Sequence, residues 1–347
     1  MTNAVGRPAA ERSAGDIDAV DAIVRHGGEG LRERMARTEL YLERVTASAG
    51  APLAVHASAT IRAGGKRLRP LLVVIAAEAA GGPLKSIEGE QGLLRAAVAV
   101  ELVHSATLVH DDLIDGARLR RGRPTVAATA GRQVAIATGD LLFSRAFAEL
   151  ARNGDPAQLR ALSNASSALA AGELLQRQDA YASHVALERY LRRCELKTAA
   201  LFEAACRLGA LVALATSTVL ADALGAFARQ IGLAFQILDD VLDVSGPVQR
   251  TGKARGTDLM DGTITLPFIL ARESDPQLAA IDLRSLSGSE EAEELCERII
   301  ATGALAQARD RALVLVAEAK AALFASLPSS HCALLELVAD AVVERYR

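Results

Sequence analysis

The sequence has no tryptophan and few other aromatic residues, which make up only 3% of its 347 residues. Aromatic and β-branched residues favour strands, whereas alanine and leucine, the dominant residues here, are strong helix formers. Hydrophobic residues account for 50% of the chain and charged residues for 23%, which leaves enough apolar surface for a large core. The composition therefore predicts an all-α protein.

Other absences exclude classes of partner and compartment. The net charge of -3 gives no basic excess, although nucleic-acid-binding domains usually carry one. The four cysteines have no metal-binding spacing and are expected to be reduced thiols: Cys194, Cys206, Cys296 and Cys332. The sequence shows neither a secretory leader nor an uninterrupted apolar run of membrane-spanning length. We expect a cytoplasmic protein with no nucleic-acid partner and no membrane span.

The domain organisation is simple. Residues 1–15 are rich in alanine, glycine, serine and charge, which predicts a disordered tail. Helical patterns begin near residue 16, break at His26-Gly27-Gly28, and continue to the C-terminus. We therefore predict a single all-helical domain over residues 16–347.

Three acids at the end of an apolar helical run form the first candidate site. Asp111 and Asp115 are four residues apart, so both lie on one face of a helix, and Asp112 lies between them. Burying like charges is costly unless a cation offsets them, and hard oxygen ligands suit Mg²⁺. This DDxxD spacing predicts a magnesium site.

A cationic turn follows the acids. The chain leaves the helix at Gly116 and reaches Arg120, Arg121 and Arg123, with Gly122 between them. Guanidinium groups can hold a phosphate through paired hydrogen bonds. Carboxylates, a metal and arginines together indicate a diphosphate ligand.

The same acidic spacing recurs at Asp239, Asp240 and Asp243, again at the end of an apolar helical run. We expect the two triplets to face each other from antiparallel helices and to hold Mg²⁺ ions with a diphosphate between them. Gln236 lies near the same face and can donate to the phosphate or to a metal-bound water.

A third candidate element is Gly64-Gly65-Lys66-Arg67-Leu68-Arg69-Pro70, which precedes an apolar helix. The glycines allow close backbone approach, and the helix N-terminus can join Lys66 and Arg69 in an anion site. These two residues are three apart and are expected to share a face. His104 lies two turns before Asp111 on the same face, so we expect it to point into the same cavity. The segments Gly139-Asp140 and Gly172-Glu173 are open to two interpretations, as supports for the site or as packing contacts.

With its GGKRLRP at 64–70, RRG at 120–122, TLP at 265–267 and two DDxxD motifs, the sequence resembles the trans-isoprenyl diphosphate synthases of the polyprenyl synthetase family. The resemblance implies a single large bundle of mostly antiparallel helices around a central cavity, the isoprenoid synthase fold, usually as a homodimer. It also implies a Mg²⁺-dependent prenyltransferase that condenses isopentenyl diphosphate head-to-tail onto an allylic diphosphate.

The resemblance also implies individual roles. The metal ligands are Asp111, Asp115 and Asp239, supported by Asp112, Asp240 and Asp243. The catalytic set consists of Asp111, Asp112, Asp115, Lys197, Asp239 and Asp240. The allylic diphosphate is held by Arg120, Lys197, Thr198, Gln236 and Lys253. Isopentenyl diphosphate is held by Lys66, Arg69, His104 and Arg121. One departure is Thr263, where several short-chain relatives have a lysine, which removes one phosphate contact.

Product length is the last inference that the resemblance allows. In the family, the fifth and fourth residues before the first DDxxD form a floor, and bulky aromatic residues there stop growth early. Here they are Ala106 and Thr107, so we expect a long-chain product. A helical wheel places Thr107 nearer than Ala106 to the face of the acids.

Two alternatives remain open from the sequence. A class I terpene cyclase shares the first acidic motif but usually carries an Asn/Ser/Glu metal motif in place of the second, and its cavity tends to be aromatic. A non-catalytic partner subunit of a prenyl synthase is expected to have decayed acidic motifs, whereas both are intact here. A di-iron carboxylate bundle is disfavoured because it needs a Glu-x-x-His pair on each of two helices, and the sequence has only one such spacing, at Glu101 and His104.

Overall fold

The computed structural model describes residues 19–48, 50–81, 86–182, 184–213, 218–246 and 255–344. The predicted tail and Lys253 lie outside these residues. Helices α1 to α5 span Ala19–His26, Gly28–Ala47, Leu53–Arg62, Leu68–Ala79 and Ile87–Ile114. Helices α6 to α10 span Val126–Ala130, Arg132–Ala151, Pro156–Asp179, Leu187–Cys194 and Ala200–Ala213. Helices α11 to α17 span Thr218–Ser245, Thr257–Met260, Leu266–Ser274, Pro276–Ala279, Ser289–Ala301, Ala304–Ser326 and Ser329–Glu344.

Three short elements complete the chain as described. Strands β1 (Leu119–Arg120) and β2 (Arg123–Pro124) form a small antiparallel ribbon. A π-helical turn, Glu195–Ala199, joins α9 to α10, and a 3₁₀ turn covers Leu283–Ser285. The all-α prediction is therefore confirmed, with helices arranged as a bundle.

Helix α5 forms the centre of the core and packs against α4, α7 and α10. It is the one described helix that is long and apolar enough, by length and composition alone, to cross a membrane, and Arg95 and Glu101 interrupt its apolar run. However, 72% of its most apolar window is buried inside the protein, as in the core helix of a bundle. It begins at Ile87, where Ser86 caps it by accepting a hydrogen bond from the backbone N–H of Gly89.

The directions of α5 and α11 bring the acidic motifs together. Both helices present their C-terminal ends to one cavity, where Asp111 and Asp240 line the wall. Both acidic motifs therefore lie near the C-terminal end of their helix and border one cavity. That the two helices run antiparallel stays a prediction.

Close packing between α4 and α10 depends on Gly209. A Cβ on this residue would lie 2.1 Å from the carbonyl oxygen of Val73, a backbone atom that cannot move aside. We expect Gly209→Ala to lower the free energy of unfolding by about 1–3 kcal/mol or more. Gly30→Ala, in open space on α2, is the matched control and is expected to be neutral or to stabilise by up to about 1 kcal/mol. Denaturant unfolding of both variants measures the difference; equal stability would contradict the close contact.

Candidate active site

The two acidic motifs converge on a cavity of about 230 Å³, which we call the acidic cavity. It is lined by Asp111 of α5, by Asp115, which directly follows α5, and by Asp240 of α11. The remaining lining residues are Leu108, Arg120, Gln176, Arg177, Arg193, Cys194, Lys197, Thr198, Gln236, Thr257, Asp258, Asp261 and Thr263. Asp239 lies beside Asp111 in the wall of an adjoining cavity. The structure thus brings the predicted metal ligands to one place.

The electrostatics of the acidic cavity suit a cation. Burial raises the pKa of Asp111 to about 6, and the negative charges of Glu173 and Asp115 add to this effect, while Lys197 opposes it. Burial also raises the pKa of Asp240 to about 7, with a contribution from the charge of Asp258. Carboxylates with raised pKa values gain from a cation that stabilises their ionised form.

The donor set fits Mg²⁺ in particular, since every acid in the cavity offers hard oxygen atoms. Among the described residues, no three His, Cys, Asp or Glu side chains are close enough to hold a metal by themselves. Mg²⁺ is usually bound through one or two carboxylates, with water and substrate phosphate supplying the rest. Asp111 lines the acidic cavity with Asp115 and the adjoining cavity with Asp239, so a diphosphate and water would have to supply the remaining ligands of a Mg²⁺ ion held there.

Asp240 has a different environment from Asp111. Its Oδ2 accepts a hydrogen bond from the Tyr190 hydroxyl (2.7 Å), and its Oδ1 accepts one from Nε2 of Gln236 (2.8 Å). Thr198 donates in turn to Oε1 of Gln236 (2.6 Å). Both oxygens of Asp240 have internal donors, so it organises the cavity wall. Sequence reasoning missed the buried Tyr190, which lies in a different helix and has no motif to mark it.

Lys197 and Thr198 lie on the π-helical turn, which is packed tightly between two helices. A Cβ on Gly172 would lie 2.6 Å from the backbone nitrogen of Lys197, and one on Gly232 would lie 2.9 Å from Cα of Ala199. Such turns often occur at functional sites because they redirect side chains. The glycines let α8 and α11 approach the turn closely, which fixes the position of Lys197.

Charged residues form a chain along one side of the acidic cavity. Lys197 is paired with Glu173 and also donates to Oε1 of Gln176 (3.2 Å). Glu173 is paired with Arg177 (2.9 Å), which is paired in turn with Asp115. Glu173 therefore supports the site, which is one of the two interpretations that the sequence left open. Arg177 was missed, although its position four residues after Glu173 on α8 was an available signal.

Asp140 does not reach the acidic cavity. Its side chain is 68% exposed and lies 3.6 Å from His110. The adjacent Gly139 serves packing, because a Cβ there would lie 2.1 Å from Nε2 of His110.

A second cavity of about 410 Å³, the basic cavity, lies on the other side of α5 and is lined by Arg67, His104, Arg120 and Arg121. The β1–β2 ribbon turns through Arg121 and Gly122, both with positive φ, as a tight two-residue hairpin requires. A Cβ on Gly65 would lie 3.0 Å from Nη1 of Arg121. The loop and the ribbon therefore meet at this glycine.

The loop before α4 differs from the expected arrangement. Arg67 adopts a left-handed conformation and α4 begins only at Leu68, so Lys66 and Arg69 do not share a helical face. Lys66 is exposed and does not line the basic cavity. Arg67 lines the basic cavity instead, and ion pairs with Glu39 (2.7 Å) and Glu101 (2.8 Å) hold it in place.

Arg120 is held by Asp112 through an ion pair of 2.7 Å. It lines both the acidic and the basic cavities. Asp112 therefore contributes by positioning an arginine between the two cavities.

Arg69 is the most unusual cation in the molecule. Its Nε is buried and has no hydrogen-bond partner among the described residues, and its guanidinium lies 4.9 Å from the centre of the Phe202 ring. Burial lowers the pKa of Arg69 to about 10, so it stays charged at neutral pH. Burial, together with Arg69, Arg121 and two further arginines, holds the pKa of His104 well below its usual value, so the imidazole is neutral. Both side chains are placed to receive an anion.

A third cavity, the apolar cavity, has a volume of about 540 Å³. Arg69, His104, Asp111 and Asp239 lie in its wall. Its apolar lining residues are Leu108, Ile114, Phe143, Leu169, Ala170, Leu174, Leu201 and Phe235, and its other polar ones are Thr107, His110, Ser166, Glu173, Lys197, Thr198 and Gln236. Ala106 is fully buried and does not line this cavity. Leu108 lines all three cavities, so they adjoin one another.

An all-helical bundle that joins an acidic cavity, an arginine-rich cavity and an apolar cavity defines a class of enzymes acting on diphosphates with apolar tails. The family model for polyprenyl synthetase matches residues 52–302. The chain belongs to the polyprenyl synthetase family.

Named relatives extend this result. The chain is 40% identical over 251 residues to heptaprenyl diphosphate synthase component 2 of Geobacillus stearothermophilus, covering 72% of this chain and 76% of that protein. It is 37% identical over 290 residues to geranylgeranyl diphosphate synthase of Methanosarcina mazei, covering 82% and 87%. The crystal structure of a polyprenyl synthase from Caulobacter crescentus, complexed with calcium and isoprenyl diphosphate, is similar with a TM-score of 0.85 and 34% identity, covering 97% of this chain and 99% of that one.

Proposed function

We propose that this protein is a trans-polyprenyl diphosphate synthase that adds isopentenyl diphosphate head-to-tail to an allylic diphosphate. The observation that carries the proposal is the meeting of three cavities around Leu108, because the reaction needs two diphosphate sites and one site for a growing hydrocarbon. The prenyl synthase relatives favour this function over a terpene cyclase.

Mg²⁺ is the proposed cofactor, held by Asp111, Asp115 and Asp239. When bound, it offsets the charge of the leaving diphosphate. The calcium and isoprenyl diphosphate named for the Caulobacter structure support a divalent cation with oxygen ligands. Lys253, which lies outside the described residues, is proposed as a further contact to the allylic diphosphate.

The protein's own residues have three tasks in the proposed reaction. Lys197 and Arg120 stabilise the charge that develops on the allylic diphosphate as its carbon–oxygen bond breaks. The apolar cavity keeps water from the allylic cation. Arg69, His104 and Arg121 hold isopentenyl diphosphate so that its double bond reaches the cation. The new carbon–carbon bond forms, and a proton passes to the released diphosphate.

Thr107 is proposed to set product length, because it lines the apolar cavity and Ala106 does not. We expect Thr107→Phe to shorten the main product, since a ring there occupies space that the growing chain needs. Thr107→Val, which keeps the volume, is expected to leave the length unchanged. Ala106→Phe is expected to destabilise the fold by about 1–3 kcal/mol, because Ala106 is fully buried. Chromatography of dephosphorylated products measures the length; an unchanged product from Thr107→Phe would refute this role.

We propose a homodimer in the cytoplasm, with residues 16–347 as one domain. Ile114 and Leu174, which line the apolar cavity, are 50% and 65% exposed, and Ile136 nearby is 39% exposed. Exposed apolar residues that group together mark an interface. Two relatives are named as component 2 of a heptaprenyl synthase, so a companion chain is the alternative partner.

One assay tests the proposed function. Purified protein is incubated with Mg²⁺, labelled isopentenyl diphosphate and a panel of allylic primers, with EDTA as the metal-free control. We expect Mg²⁺-dependent products longer than each primer. A cyclic hydrocarbon from an allylic diphosphate alone would support the cyclase instead, and activity only after addition of a second chain would support a subunit role.

A further inference from the structure

A groove of about 500 Å³ lies between α2 and α5 and shares no lining residue with the three cavities of the active site. Its lining residues are Arg37, Leu40, Tyr41, Arg44, Gln91, Leu94, Arg95 and Arg152. Four of these eight residues are arginines, and none is an acid. The protein as a whole has a net charge of -3, so this groove concentrates positive charge on a weakly acidic molecule.

Two of the arginines have only neutral contacts among the described residues. The Arg44 guanidinium lies 4.4 Å from the centre of the Tyr41 ring. Arg95 donates to Oε1 of Gln91 (3.2 Å) and Oδ1 of Asn153 (3.3 Å). These contacts orient the guanidinium groups without offsetting their charge.

The other two arginines are only partly neutralised. Arg152 is paired with Glu149 at 3.1 Å. Arg37 lies 3.6 Å from Glu90, but Glu90 is closer to Arg34, at 2.8 Å. The groove therefore keeps a local positive excess.

An apolar side chain stands among these charges. Leu40 is 68% exposed and lies on α2 between Arg37 and Arg44, three and four residues away, so all three share one face. At a membrane interface, apolar side chains enter the acyl region while cations contact headgroups, and Leu40 with its flanking arginines can make both contacts.

The groove lies at the far end of α5 from the acids. Arg95 is 16 residues before Asp111 on the same helix, which is about 24 Å at 1.5 Å per residue. A surface that contacts this end leaves the diphosphate cavities open to water and to soluble substrates.

We propose that this arginine groove docks the protein on a membrane surface that contains anionic phospholipids. The positive excess is complementary to phosphate headgroups, and Leu40 supplies an apolar contact with the lipid. The inference goes beyond the proposed function and rests on separate residues, so it is tested without substrates.

Sedimentation with phosphatidylcholine vesicles, with and without phosphatidylglycerol, measures the partition coefficient of the whole protein. We expect binding only to the anionic vesicles, and we expect it to weaken as salt is raised. Arg44→Gln with Arg95→Gln is expected to lower the partition coefficient about 25-fold, at about fivefold for each arginine. If the double variant fails to fold, Arg44→Glu alone, at an exposed position, provides the test. It is expected to lower the partition coefficient at least about fivefold, as much as one neutral substitution.

Arg309→Gln with Arg311→Gln is the matched control, because both arginines are exposed on α16 and the same charge is removed. This pair is expected to change the partition coefficient less than twofold. Equal losses from the two double variants would overturn the proposal, as that result means a general charge effect. Equal binding to neutral vesicles would also overturn it. So would a competition experiment in which free inorganic phosphate prevents binding to anionic vesicles as strongly as added anionic vesicles do.

Discussion

Substitution of Asp239 by Asn is expected to lower kcat about 1000-fold, which corresponds to about 4 kcal/mol of transition-state stabilisation. The change keeps the shape of the side chain and one oxygen atom but removes the negative charge that a divalent cation requires. Asp239 and Asp111 both line the apolar cavity, so loss of its charge is expected to weaken the proposed metal site between the two motifs. Initial rates with saturating substrates and excess Mg²⁺ measure the effect.

Two controls separate charge at the site from charge elsewhere. Asp310→Asn, at an exposed position on α16, is expected to retain the normal kcat. Asp111→Asn is expected to resemble Asp239→Asn, and the double variant is expected to lose much less than the product of the single losses, because the two residues act as a unit. Calorimetric titration with Mg²⁺ and diphosphate gives a second readout, in which Asp239→Asn weakens binding. Normal Mg²⁺-dependent turnover in Asp239→Asn would remove Asp239 from the proposed ligands.

Much of this site could be predicted from sequence because its residues belong to motifs with fixed spacing. The DDxxD spacing places Asp111 and Asp115 one helical turn apart, and a second copy implies that two chain segments meet. The basic ribbon at Arg120 and Arg121 follows from a glycine that allows a tight turn. The helical composition and the family resemblance together supply the bundle around them.

Other residues could not be predicted because their roles depend on tertiary contacts. Tyr190 reaches Asp240 across two helices, and no local spacing relates them. Lys66 has the expected residue type, but the left-handed backbone at Arg67 directs the loop away from a helical face.

Substitution of Arg69 by Met is expected to raise the KM for isopentenyl diphosphate about 100-fold, because one or two charge-assisted hydrogen bonds to a phosphate are lost. The KM for the allylic diphosphate is expected to change little, since Arg69 does not line the acidic cavity. Met has a similar length and no polar atom, so it removes a buried cation whose Nε has no partner.

The stability of this variant distinguishes a binding role from a structural one. The Nε of Arg69 is buried without a hydrogen-bond partner, and burial disfavours the charged form, so Arg69→Met is expected to keep the Tm while isopentenyl diphosphate binding is lost. Arg69→Lys, which keeps the charge but not the planar fork, is expected to raise the same KM about tenfold. A lower Tm combined with equal increases in both KM values would mean that Arg69 only supports the fold. A selective rise in the KM for isopentenyl diphosphate with an unchanged Tm is the result expected if Arg69 binds this substrate.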